Sequence, residues 1–107
     1  VDDFLGTMVL TCVHDLQPKR LIQMVTGELI RCYPLSMARV DGKPMPVRHA
    51  IISDCSGWIR VKLWGQDALN VLIGQCIEIR NVWCYQKDGS LWLSVGRQSS
   101  LTFRTQP

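Results

Sequence analysis

One seven-residue stretch, WIRVKLW at positions 58–64, constrains the fold more than any other part of this sequence. Ile59, Val61 and Leu63 alternate there with two indoles and two cations. A period of two is that of a β-strand, whose successive side chains point to opposite faces. The aliphatic side predicts a core-facing surface and the other side an exposed one, so the chain is expected to build a sheet or a barrel around this strand.

Two hairpins are predicted from the residues around this strand. Residues 47–54 (VRHAIISD) are rich in β-branched and aliphatic side chains, and the DCSG turn that follows pairs them with the WIRVKLW strand. Residues 76–85 and 91–95 form a second hairpin through Asp88 and Gly89, the dipeptide most typical of two-residue hairpin turns. The C-terminal half of the chain is therefore predicted to contain four strands.

A short helix of about two turns is predicted between the two hairpins. Asp67 near its start and Gly74 just past its end are typical capping residues. We expect Leu69 and Leu72 to plug one end of a barrel. With one more strand before it, this order predicts an all-β protein, a five-stranded OB-fold Greek-key barrel with a short helix between strands 3 and 4. A six-stranded sandwich or an SH3-like barrel is the competing arrangement, and neither needs a helix there.

The N-terminal half leaves the position of the first barrel strand open. Residues 7–13 and residues 28–40 both fit an extended strand, and the second stretch suits the short turn that follows it better. Pro34 cannot donate to a β-ladder, so it predicts an edge, a bulge or a break. We place an OB-fold domain at residues 27–107 and leave residues 1–26 unassigned, as an N-terminal extension or first-strand region.

Composition fits one globular domain in a reducing compartment. The 107 residues are 47% hydrophobic and 20% charged, and the longest apolar run is too short for a membrane helix. The five scattered cysteines contain no CxxC pair, so neither a zinc ribbon nor a thioredoxin-like site is indicated, and their odd number fits a reducing compartment. A net charge of +3 leans weakly toward anionic partners. Since the sequence starts without Met, we expect a segment of a longer protein.

No catalytic residue, metal site or cofactor is expected. The two histidines, His14 and His49, lie on separate segments, and no GxSxG, HExxH or Walker-type phosphate loop occurs. Apart from Asp2 and Asp3, the acids are scattered singly, so no acid–base pair is indicated. These observations predict a binding protein rather than an enzyme.

The outward side of the WIRVKLW strand is the first candidate binding site. Trp58 and Trp64 are surplus to the core, and Arg60 and Lys62 lie between them. Aromatic rings stack on bases at about 1–3 kcal/mol each while cations neutralise phosphates. Alternate residues of a strand lie about 6.5–7 Å apart, close to the spacing of nucleotides in an extended strand. The same indoles would also suit a partner protein, or a place beneath a loop or the N-terminal extension.

Four further residues are candidates for the same interface. Trp83 and Tyr85 precede the second hairpin turn, Lys87 begins it, and Arg97 follows the last strand. Trp92 lies on the opposite arm of that hairpin. One or two of the three rings near the turn are expected in the core, because small barrels need large residues to fill them.

Residues 47–97 resemble a known family. The matching elements are VR…D…SG-x-I-x-V-x-x-W, a short helix, a glycine before the fourth strand, and L-x-L-x-x-GR at the end. They are similar to the single-stranded-DNA-binding OB-folds of the replication protein A superfamily, and most similar to the small human single-stranded-DNA-binding proteins of the sensor-of-ssDNA complex. The resemblance implies that DNA binds across strands two and three. Trp64 then matches a stacking aromatic, Trp83 an aromatic on strand four, and Lys87 replaces a frequent aromatic.

The expectation is therefore a nuclear, non-catalytic domain that binds single-stranded DNA within a larger protein of DNA replication, repair or recombination. Other subunits of such a complex are expected partners, and a membrane is not. The residues expected to bind nucleic acid are Trp58, Arg60, Lys62, Trp64, Trp83, Tyr85, Lys87 and Arg97. The alternatives are a protein-interaction OB-fold in a repair or telomere complex with little nucleic-acid binding, and an RNA or tRNA module of the same fold.

Overall fold

The computed structural model describes residues 8–104, which form seven strands, one short α-helix and one 3-10 turn. The 3-10 turn is Val13–Asp15 and helix α1 is Gln66–Asn70. The strands are β1 Arg20–Cys32, β2 Ser36–Val40, β3 Lys43–Asp54, β4 Gly57–Trp64, β5 Cys76–Lys87, β6 Ser90–Val95 and β7 Ser100–Arg104. No helix within this part of the chain is long and apolar enough to cross a membrane.

Five of the strands close into a barrel. They are arranged in the order β1-β3-β4-β6-β5, and β5 pairs again with β1. The β4–β6 pair is parallel, while the other neighbours are antiparallel. Closure of the barrel removes the free edges of an open sheet. Because α1 lies between the third and fourth barrel strands, the predicted OB-fold is confirmed, with β2 and β7 as additional strands on β3 and β5.

The predicted alternation of β4 is present in the structure. Ile59, Val61 and Leu63 are buried in the barrel, and the residues between them face outward. The β3–β4 hairpin forms in the expected register, with Asp54 opposite Gly57 at the turn. The strand that positions the candidate site is thus anchored by its own aliphatic face.

Strand β5 changes its buried face halfway along. Ile77 and Ile79 are buried in its first half, whereas Val82 and Cys84 are buried in its second half. Asn81 lies between the two pairs and has a left-handed backbone with φ of 54°. Asparagine tolerates this conformation better than most residues, so it allows the strand to turn its aromatic residues outward.

The predicted plug of the barrel by Leu69 and Leu72 is wrong. Leu69 is 47% exposed and Leu72 is 66% exposed, whereas Ala68 and Val71 are buried in the core. The helix ends at Asn70, and the next residue already has an extended backbone. Because the helical spacing ends before Val71, the side chain of Val71 rather than that of Leu72 is buried in the barrel.

The first barrel strand overlaps the favoured position, 28–40, only at residues 28–32. Strand β1 begins at Arg20, pairs first with β5 and then, near its end, with β3. The expected strand at 28–40 is split into the end of β1 and the separate β2, with Pro34 in the break between them. Residue 27, the predicted start of the OB-fold domain, falls inside β1.

Residues before β1 pack against the barrel. The amide of Thr11 donates to the carbonyl of Met24, and Val13 and Leu16 are buried in the core. The amide of Val13 also donates to the carboxylate of Asp54 at 2.9 Å. This segment therefore covers the end of the barrel at the β3–β4 turn.

Candidate nucleic-acid interface

The outward side of β4 is open to solvent. Trp58 is 53% exposed, and Arg60, Lys62 and Trp64 are partly exposed. The N-terminal segment lies beside the start of this strand. A Cβ built on Gly57 would be 3.7 Å from the side chain of Val13. Among residues 8–104, Trp58 keeps more than half of its surface exposed beside this segment, and Trp64 is partly exposed.

Each indole of β4 is paired with a cation from the same face. The Cζ atom of Arg60 lies 5.0 Å from the centre of the Trp58 ring, and Nζ of Lys62 lies 4.8 Å from the centre of the Trp64 ring. Exposed cation–π contacts contribute about 0.5–1 kcal/mol. They also hold positive charge beside an aromatic surface, which is the combination that a nucleotide with its stacking base and charged phosphate requires.

Strand register extends this face across the barrel. Arg60 lies opposite Ile51 on β3 and beside Trp92 on β6, and Trp92 lies opposite Tyr85 on β5. The Tyr85 and Trp92 rings are nearly parallel, at 18°, with centroids 6.5 Å apart. We call this surface the aromatic face; its members are His49, Trp58, Arg60, Lys62, Trp64, Trp83, Tyr85 and Trp92.

A second row of residues runs beside the first. Lys62 lies opposite His49 and beside Ser94, and Ser94 lies opposite Trp83. Trp83 is 45% exposed and pairs on its other side with Leu21 of β1. The β4 residues predicted from the sequence and the predicted pair Trp83 and Tyr85 thus share one continuous outer surface.

The two remaining predicted cations, Lys87 and Arg97, lie at the borders of the aromatic face. Lys87 is exposed at the end of β5, where the hairpin turn begins. Arg97 is exposed after β6, and its guanidinium lies 3.8 Å from the carboxylate of Asp41. Together with Trp64 and Met45, Arg97 lines a pocket of about 250 Å³. Arg97 is therefore close to one of the predicted stacking residues.

The expectation that one or two of the rings near the second turn belong to the core is wrong. Trp83 is exposed, and Tyr85 and Trp92 are partly exposed on the outer side. Leu93 and Cys84, which alternate with them, fill the interior instead. The three rings therefore lie on the outer side of the barrel.

Sequence reasoning missed His49 and Trp92 as members of the face. The two rings lie on strands separated by β4, yet their centroids are 4.8 Å apart in an edge-to-face arrangement at 66°. Aromatic pairs of this geometry contribute about 0.5–1.5 kcal/mol beyond the area that they bury. The rings of His49 and Trp92 are therefore in contact above β4, in the middle of the aromatic face.

Arg31 and Tyr33, at the end of β1 and just after it, were also missed. The Arg31 Cζ atom lies 5.4 Å from the centre of the Tyr33 ring, which is a third cation–π pair. With Trp58, Arg60 and the nearly buried Ile51, they line a cavity of about 500 Å³. In the sequence, Arg31 and Tyr33 are two residues apart, as are the cations and indoles of β4. This spacing could have indicated the pair, but Pro34 directly after Tyr33 predicts a break in the strand.

The charge around the face is positive. Residues 58–64, 82–87 and 90–95 contain no Asp or Glu. Burial lowers the pKa of His49 below its ordinary value, and the nearby charges of Lys62 and Lys87 lower it further. Burial raises the pKa of Tyr85, which therefore remains an uncharged ring. Within residues 8–104, no group of three or more His, Cys, Asp or Glu side chains is arranged to hold a metal ion.

Comparison with known proteins gives the same fold. No protein family profile matches the chain. The single-stranded DNA binding protein Ssb of Saccharolobus solfataricus is 24% identical over 89 residues, which are 83% of this chain and 60% of that protein. This chain therefore spans about 60% of the length of that relative.

Two solved structures have the same architecture. An OB domain from Thermoplasma acidophilum matches with a TM-score of 0.79 at 22% identity, over 92% of this chain and 89% of that one. A replication protein A heterotrimer bound to single-stranded DNA matches with a TM-score of 0.76 at 16% identity, over 94% of this chain and 26% of that one. The chain is thus an OB-fold domain.

Proposed function

We propose that this domain binds single-stranded DNA without catalysing a reaction, and that the strand lies across the aromatic face. The observation that carries the proposal is the outward side of β4, where Trp58 is exposed, Trp64 is partly exposed and each is paired with a cation. A ring beside a cation offers one nucleotide both a stacking surface and a counter-charge.

The residues divide into two roles. Trp58, Trp64 and Trp83 stack on bases, at about 1–3 kcal/mol for each base, and Tyr85 extends the same surface. Phosphates are held by the cations that alternate with these rings and border them, which are Arg60, Lys62, Lys87 and Arg97. The pair of Arg31 and Tyr33 supplies a further ring and cation beside Trp58. Preference for particular bases is expected to be slight, because every base has a surface that can stack.

The similar proteins support this proposal. Ssb is by its name a single-stranded DNA binding protein, and the replication protein A heterotrimer was solved bound to single-stranded DNA. We further propose a module within a larger, nuclear genome-maintenance protein, with other subunits as partners. A relationship to the human sensor-of-ssDNA proteins is part of the same proposal and rests on the motifs between residues 47 and 97.

A titration with oligo-dT at low salt tests the function. We expect the fluorescence of the tryptophans to be quenched and the anisotropy of a labelled oligonucleotide to rise. Trp64→Ala should weaken binding roughly 5- to 150-fold, as expected from the loss of one stacked base. Phe103→Ala removes an exposed ring from β7, outside the aromatic face, and should leave the affinity unchanged. No change in either signal at tens of micromolar protein would refute the proposal.

The competing function is that of a protein-interaction OB-fold, which would use the same rings. Reversing the charges on the aromatic face distinguishes it from DNA binding. Arg60→Glu combined with Lys62→Glu should abolish DNA binding, whereas an apolar docking site would respond mainly to Trp64→Ala. Arg104→Glu reverses an exposed charge on β7 and serves as the control. Competition between DNA and RNA oligonucleotides of equal length distinguishes the RNA module.

A further inference from the structure

His49 occupies the middle of the aromatic face and has no role so far in the proposed function. It lies on β3 directly opposite Lys62, and its ring meets the Trp92 ring with centroids 4.8 Å apart. Its backbone carbonyl accepts a hydrogen bond from the amide of Tyr33 at 2.9 Å. The imidazole is exposed on the aromatic face, and its ring contact is the edge-to-face arrangement with Trp92.

The charged groups around His49 are cations. Strand β4 contributes Lys62, with Arg60 one position further along the face, and β5 contributes Lys87 and the phenol of Tyr85. Strand β6 has no ionisable side chain, and nearby on β1 is Arg31. Further along β3, where it pairs with β2, Arg39 lies opposite Pro44 and Lys43 lies opposite Val40.

Among residues 8–104, no carboxylate is a cause of the lowered pKa of His49. The one acid of helix α1, Asp67, does not contribute to the shift of His49. Burial first, and then Lys62 and Lys87, hold the pKa of the imidazole below its ordinary value. The imidazole of the free domain therefore binds its proton less tightly than an unperturbed histidine does.

We propose that His49 is a further nucleic-acid contact, whose protonated imidazole holds a DNA phosphate together with Lys62 and Lys87. The inference rests on the proposed function and adds that DNA binding is coupled to protonation of His49. A phosphate between the three groups brings a negative charge next to Lys62 and Lys87, so attraction replaces their repulsion of a protonated imidazole. The imidazole then takes up a proton from solution when the strand binds, and both of its nitrogens become donors.

The sign of the pH dependence follows from linkage. A group that binds a proton more tightly in the complex than in the free protein makes affinity increase as the pH falls. Below the ordinary histidine pKa the DNA complex should therefore gain stability relative to free protein and free DNA. An adjacent opposite charge shifts a pKa by about 1–3 units when unscreened. After screening at a solvated face, we expect roughly a three- to tenfold gain in affinity between pH 8 and pH 5.5.

The chain allows a sharp test, because it contains two histidines and the second serves as a control. Affinity for oligo-dT is measured at constant ionic strength between pH 5.5 and 8.0. His49→Phe keeps a ring against Trp92 but cannot titrate, and its affinity should not vary with pH. His14→Gln removes the exposed histidine of the 3-10 turn and should retain the pH dependence of the wild type.

A second measurement does not depend on a variant. Titration of the imidazole resonances by NMR should show a higher pKa for His49 in the DNA complex than in the free domain. An unchanged pKa, or a pH dependence that persists in His49→Phe, would overturn the role of His49. Absence of DNA binding at every pH would instead refute the proposed function, so the two failures are distinguishable.

Discussion

Lys62 and Trp64, two residues apart on β4, hold an ammonium and an indole 4.8 Å apart on the same outward face. The backbone of a strand sets this neighbourhood, since alternate residues point the same way. The cation is therefore in place before a ligand arrives, at the position where a phosphate attached to a stacked base would lie. The charge of Lys62 and the ring of Trp64 can be separated by mutation.

Lys62→Met should change the salt dependence of DNA binding. It removes one phosphate contact while keeping most of the side chain, so the slope of log K against log salt should fall by about 0.7. Binding isotherms at four or more salt concentrations measure this slope. Arg104→Met removes an exposed cation from β7 and should leave it unchanged. Equal slopes for wild type and Lys62→Met would mean that Lys62 contacts no phosphate.

Asp54→Ala should destabilise the fold. One carboxylate oxygen accepts hydrogen bonds from the amides of Ser56 and Gly57, and the other accepts from the amide of Val13. Their loss is expected to cost about 1–3 kcal/mol in urea unfolding. Asp15→Ala removes the same charge from an exposed carboxylate and should cost far less. If the two variants unfold alike, the link between the N-terminal segment and the β3–β4 turn contributes little.

The same carboxylate should make stability depend on pH in acid. Burial alone would raise the pKa of Asp54, but hydrogen bonds from Ser56, Val13 and Gly57 lower it below the ordinary value of 3.8. A carboxylate whose pKa is lower in the folded state than in the unfolded state stabilises the fold. This stabilisation is complete at a pH above the unfolded-state pKa and is lost as the pH falls through the folded-state pKa. The difference in stability between wild type and Asp54→Ala should therefore shrink below about pH 4.

Gly27→Ala should strain the contact between β1 and β3. A Cβ at this position would lie 2.8 Å from the carbonyl oxygen of Ser53, a backbone atom that cannot turn aside. Overpacking of this kind costs about 1–3 kcal/mol. Gly96→Ala places its methyl in open space and is the matched control, with an expected change near zero. Equal urea midpoints for the two variants would show that β1 can move away from β3 freely.

Local signals were sufficient to predict the β3–β4 and β5–β6 hairpins. Asp88 and Gly89 both have the left-handed backbone, with φ of 52° and 78°, that their sequence suggested. The alternation of Ile59 and Val61 with polar residues needed no partner strand to be recognised. Each of these features depends on residues within a few positions of one another, so the sequence alone displays them.

Strand β1 was not predictable in the same way. Its buried residues Ile22, Val25 and Leu29 are spaced by three and four, as in a helix. The first two lie opposite β5 on either side of its face change at Asn81, and Leu29 follows the change of partner from β5 to β3. The contact between His49 and Trp92 likewise depends on the register of three strands. Such features arise only when segments distant in sequence are brought together, and a single sequence carries no direct record of them.

The residues after α1 provide the last prediction, which tests how the barrel end is closed. Val71 is 1% exposed and the adjacent Leu72 is 66% exposed, although helical spacing favours the opposite. Val71→Ala should therefore leave a cavity and cost about 1–3 kcal/mol, while Leu72→Ala should stay within about 0.5 kcal/mol of wild type. Urea unfolding followed by tryptophan fluorescence measures both. A larger loss for Leu72→Ala would mean that the helix continues past Asn70 and that Leu72, rather than Val71, fills the barrel.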